Sequence, residues 1–181
     1  MKIIIIILIV LVVVFIVMNK QKKAIILPSA QTIDEALGME TTKSLIAING
    51  LIQKKLGTQN YSVLSHSELV VLAIDWLQSD VNNGGYHQYF YNSYSDLAQE
   101  AVNGLREIGA NRMAEITEKA CSIFPDSNVP KDRNERQTLL EKAGEKGETI
   151  LRKLDDEFFK YPDNINALLI EYIKKHKAEF K

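Results

Sequence analysis

Residues 81–93 read Val-Asn-Asn-Gly-Gly-Tyr-His-Gln-Tyr-Phe-Tyr-Asn-Ser, and the reading of this stretch decides the fold. Thirteen positions hold two adjacent glycines, three asparagines, one histidine and four aromatic residues. Amphipathic patterning alone does not produce that mixture. Paired glycines after Asn82 and Asn83 suit a backbone that enters left-handed dihedrals, where a Cβ would clash. The expectation is that the two asparagines close a helix and that Gly84 and Gly85 reverse the chain. Tyr86, Tyr89 and Phe90 would then plug the core, while His87, Gln88 and Asn92 satisfy buried backbone groups.

Outward from this stretch the period is helical on both sides. Thr32 can cap a turn over 33–37 ahead of Gly38. Leu45, Ile48, Ile52 and Leu56 share one face, and Gly57 supplies a stop. Ser67 can cap the helix that carries Leu69, Leu72, Ala73, Trp76 and Leu77 inward. Ser95 can cap the next, with Leu97, Ala101, Leu105 and Ile108 buried and Gly109 at its end. Met113, Ile116, Ala120, Ile123 and Phe124 form a fourth stripe, stopped by Pro125. After a polar loop, Leu140, Ala143, Gly147, Ile150, Leu154 and Phe158 trace a long helix bent near Gly144 and Gly147. Tyr161-Pro162-Asp163 breaks it before Ile165, Leu168, Leu169, Tyr172 and Ile173. No stretch alternates with period two, so the fold class is all-α: a single domain of about six helices over 41–181.

In front of that domain, residues 3–18 are sixteen consecutive apolar residues, flanked by Lys2 and by Lys20, Lys22 and Lys23. As a helix they would span about 24 Å, slightly less than the ~30 Å hydrocarbon core, and the flanking lysines can snorkel across the difference. An uncleaved membrane anchor over 1–23, followed by a tether over 24–40, is the leading expectation. A cleaved signal peptide and a buried core element compete with it. The lysines after the span lean the domain towards the cytoplasm, with the periplasm as the alternative. The lone Cys121 excludes an intramolecular disulfide framework and reads as a small core residue.

The chain's net charge of −1 conceals a soluble part at −5, because four lysines and no acid lie in the first 23 residues. Between Lys55 and Arg106 no lysine or arginine occurs, yet Glu68, Asp75, Asp80, Asp96 and Glu100 fall there. Such a segment argues against nucleic acid as a direct ligand and suits a basic protein partner. These five carboxylates are the expected partner-binding surface.

Catalytic and metal chemistry find little footing. His66, His87 and His176 are scattered without metal-ligand spacing, and Asp155-Asp156-Glu157 point in different directions on a helix and read as solvated surface. No nucleophile elbow or phosphate loop is present. His87, between Tyr86 and Tyr89, is the best available general base. No metal and no cofactor are expected.

The segment Val81–Ser93 closely resembles the signature of the bacterial DNA-mimic-protein family. Ala101–Ala120, with Leu-Arg-Glu-Ile-Gly-Ala-Asn at 105–111, and Leu154–Pro162 resemble the elements that come after it there, so the likeness covers roughly 60–177. It implies that Asn82, Asn83, Gly84, Gly85, Tyr86, His87, Gln88 and Tyr89 are a family signature of structural character. It further implies an all-α, non-enzymatic domain, a homodimer, and an acidic surface that imitates DNA phosphates to occupy the DNA-binding face of a transcription factor. The expected function is therefore a membrane-anchored interaction module with a protein partner, itself a DNA-binding protein. A toxin-immunity protein and an enzyme centred on His87 are the alternatives.

Overall fold

The computed structural model describes residues 27–181. The expected anchor at 3–18 and its basic flank lie outside the described residues. Among the described residues there is no strand, and no helix is long and apolar enough to cross a membrane.

Among the same residues seven α-helices succeed one another: α1 (Ile33–Leu37), α2 (Thr41–Leu56), α3 (His66–Tyr91), α4 (Ala98–Glu107), α5 (Asn111–Cys121), α6 (Arg133–Phe158) and α7 (Ile165–Lys175). The one beyond the six expected is α1, the turn anticipated at 33–37. Thr32 caps it by accepting from the Glu35 N–H at 3.2 Å. Far from hanging free as tether, α1 packs on α2 with Ala36 fully buried, and Asp34 pairs with Lys177.

α3 is the central element. Val70–Ile74 are five consecutive buried residues, followed by Trp76, Leu77 and Val81. A helix apolar on every side must be surrounded, and α2, α4 and α6 pack against it. α5 lies against α4 and α6, and α7 closes on α2.

Two capping expectations are corrected. α3 begins earlier than Ser67 suggests: Ser65 is its N-cap, in a capping box whose other half is Glu68. Ser67 is instead buried, with its Oγ 3.1 Å from the Tyr172 hydroxyl and 2.8 Å from Glu179 Oε2. Ser95 does not cap α4 either. It lies in a 3-10 turn over Ser93–Leu97, where its hydroxyl donates to the Asn92 carbonyl at 3.0 Å. In both places a buried serine finds another partner that replaces the expected cap.

α6 bends at Gly144, whose φ of 51° lies in the left-handed region. The bend shifts the phase of its apolar stripe, so Leu151 is buried while Ile150 is exposed, contrary to the unbent period. One further residue organises this end of the molecule. Arg136 is fully buried, and its guanidinium donates to the carbonyls of Phe90, Asn92, Pro130 and Lys131 and to Asp96 Oδ1.

Candidate functional site

The Asn-Asn-Gly-Gly stretch does not end α3. The helix kinks there and continues to Tyr91. Gly85, at φ 74° and ψ −177°, occupies a region that only glycine enters freely. The kink leaves a fresh helix start whose first N–H groups need acceptors. Asp155, from α6, provides one: its Oδ1 accepts the Tyr86 N–H at 2.7 Å. A Cβ on Gly85 would fall 2.8 Å from Asp155 Cγ and closer still to Oδ2, so the glycine also makes room for this carboxylate. Asp155 is therefore a half-buried tertiary cap and not the solvated residue expected. Its burial raises the carboxyl above its ordinary value, against the pull of the Tyr86 N–H.

Around the kink the signature residues divide. Tyr86, Tyr89 and Phe90 are fully buried, as expected of a plug. The Tyr86 ring meets Phe158 edge-on at 5.7 Å, its hydroxyl is 2.9 Å from Thr117 Oγ1, and burial pushes that hydroxyl up. Three polar residues are corrected. His87 is exposed, with Nε2 3.0 Å from Glu148 and its ring stacked on Tyr91. Gln88 and Asn92 serve no backbone group with their amides. Both donate to Asp80 Oδ1, at 3.4 and 3.1 Å. Asn82 and Asn83 stay at the surface, and Asn82 Oδ1 accepts from the Tyr161 hydroxyl at 2.5 Å.

The five carboxylates expected to form one acidic surface do not. Glu68 is 3% exposed and Asp80 5% exposed. Glu68 receives Lys55 Nζ at 2.6 and 2.9 Å, and Asp80 receives the Gln88 and Asn92 amides. Asp96 and Glu100 are half-buried against Arg136 at 2.9 Å and Lys131 at 3.0 Å. The absence of basic residues in sequence is thus repaired in space, because cations arrive from both flanks of the segment to neutralise it.

Asp75 is the exception. Asn49 Nδ2 donates to its Oδ2 at 2.6 Å, and Oδ1 accepts no hydrogen bond among the described residues. Burial pushes this carboxyl up to about 6. It lines a cleft of about 470 Å³ between α2, α3 and α7, with Ile46, Val71, Asn82, Tyr161 and Leu169 among the other walls. Sequence reasoning missed Asn49 and Tyr161. Tyr161 sits at φ 46°, strained for a residue with a side chain, and the Tyr-Pro-Asp break was the available signal.

Asp75 is the carboxyl that lines the cleft, which gives a pH test. A carboxyl held at about 6 instead of 3.8 binds its proton more tightly in the fold, so its contribution is complete below 3.8 and is lost as pH rises through about 6. That displacement is worth about 3 kcal/mol. The D75N variant is expected to exceed the parent in stability by up to this amount at pH 7 and to match it near pH 4. Urea unfolding at the two pH values checks it, and equal stability at pH 7 would refute it.

Among the described residues no group of three or more His, Cys, Asp or Glu is placed to hold a metal ion. Cys121 is buried, and burial raises its thiol to about 12. A family model described as DMP19-like protein matches residues 62–176, well over half of the chain and inclusive of the whole kinked helix α3. No curated protein and no solved structure matches the chain.

Proposed function

The chain belongs to the DMP19-like protein family, and from that premise we propose that its helical domain is a DNA-mimic-like, non-catalytic module whose partner is a DNA-binding protein. The family match over 62–176 carries this reading. Because Glu68 and Asp80 are buried, the mimic charges are reassigned to carboxylates that face water. Glu141, Glu145 and Asp156 are exposed on α6, with Glu148 half-exposed between them. Beyond the Gly144 bend, the eleven helical steps from Glu145 to Asp156 rise about 16 Å, comparable to about five base pairs at 3.4 Å each. Lys142, Lys146 and Arg152 interleave with these acids, so recognition rests on the placement of charge more than on its sum.

We place the module at a membrane, facing the cytoplasm, on the sixteen apolar residues at 3–18 and the lysines behind them. The test is crosslinked capture from membranes by the intact protein, with duplex DNA as competitor. A captured DNA-binding protein that duplex DNA displaces is the expected result. The triple variant E141K/E145K/D156K should lose it while the circular dichroism spectrum stays unchanged. Capture that survives the triple variant, or that ignores added DNA, would overturn the proposal.

A further inference from the structure

Every carboxylate of the acid-only segment except Asp75 has acquired a cation or a pair of amide donors. Lys55 answers Glu68, Arg136 answers Asp96, Lys131 answers Glu100, and Gln88 with Asn92 answer Asp80. Among the described residues no lysine, arginine or histidine nitrogen lies within 4.0 Å of Asp75. A largely buried carboxylate without a counter-charge is costly to keep ionised. Here it also opens onto a cleft, with one oxygen fixed by Asn49 and the other accepting no hydrogen bond among the described residues.

We propose that this cleft receives an arginine side chain presented by the protein partner, with Asp75 as its counter-charge and the Tyr161 ring as one wall. The inference rests on the mimic reading, since arginine is a principal contact of DNA-binding faces. The walls suit both parts of that side chain. Val71 and Leu169, with the exposed rim residue Ile46, offer apolar surface to the methylene stem. Asp75 Oδ1 and the side-chain oxygens of Gln78 and Asn82 offer acceptors to the planar guanidinium, and the 44% exposed Tyr161 offers a ring face. Tyr161 lies just beyond the end of α6 at Phe158, and its hydroxyl donates to Asn82 Oδ1 on α3.

The probe is N-acetyl-arginine methylamide, titrated into the full-length chain in detergent micelles and followed by saturation-transfer NMR. Its neutral citrulline counterpart serves as control. The arginine probe is expected to bind in about the millimolar range, as a ligand of that size permits, and the citrulline probe at least tenfold more weakly. Asp75→Asn should weaken arginine binding at least tenfold while its thermal melt at pH 7 is at least as high as the parent's. Ile46→Lys, at an exposed helical position, should do the same by placing the chain's own cation in the cleft, and so tests the counter-charge independently of D75N. No arginine binding to the parent chain, equal binding of citrulline, or unaltered binding by I46K would overturn the proposal. Arginine binding without DNA-displaced capture would leave the cleft standing and sink the mimic reading. Capture without arginine binding would do the reverse.

Discussion

Replacing Gly85 with alanine is expected to destabilise the domain by about 3–5 kcal/mol. Two terms add. A side chain at φ 74° and ψ −177° costs about 1–3 kcal/mol in backbone strain alone. The new Cβ also drives into the Asp155 carboxyl group and displaces its bond to the Tyr86 N–H, a charge-assisted contact worth about 1.5–3 kcal/mol. Gly109→Ala is the control. Gly109 has φ 88°, but a Cβ there meets nothing within 4 Å, so it should cost only about 1–2 kcal/mol. Denaturant unfolding of both variants decides the matter. If G85A costs no more than G109A, the carboxylate yields freely and the cap has little value. Combining G85A with D155A should cost less than the two changes summed, because the second removes the group that the first strikes.

Arg136→Met is the other large effect, expected at about 3–5 kcal/mol or outright failure to fold. The guanidinium is fully buried and satisfies the carbonyls of Phe90, Asn92, Pro130 and Lys131 as well as Asp96. Methionine fills much of the space but leaves those oxygens without donors. Lysine should not rescue, since a single ammonium cannot reach acceptors arranged around a planar fork. D96N discriminates between explanations. It removes the ion pair and leaves the four carbonyl bonds, so it should be the milder change in thermal melts. Equal damage from D96N and R136M would mean that the ion pair, not the carbonyl clamp, holds this end together.

Much of the helical layout was legible because glycine, proline and apolar spacing are local signals. Gly57, Gly109, Gly144 and the Tyr161-Pro162-Asp163 break all fall where helices end or bend. Expectation and structure part where another partner overrides a local preference. Ser67 and Ser95 are good caps by type, yet Tyr172 and Glu179 take the first and the Asn92 carbonyl takes the second. Asn82-Asn83-Gly84-Gly85 is a plausible helix terminator alone. It becomes a kink because Asp155, 69 positions from Tyr86, caps the second half of the helix. The acid-only segment misled for the same reason: charge along a chain says nothing about which cations fold back onto it. Asp75 alone of the five has neither a cation nor a pair of amide donors among the described residues, and that isolation is visible only once the partners of its four neighbours are known.

The bond from Asp155 to Tyr86 also bears on the order in which the domain is made. The central helix cannot complete its bend until a residue near the C-terminus has been synthesised, and Arg136 imposes the same wait on the turn after Tyr91. During translation Tyr86 therefore gains its Asp155 cap and its edge-on Phe158 partner only after α6 has emerged. A break in the exposed 126–128 turn should yield two fragments that are insoluble apart and recover helicity when mixed.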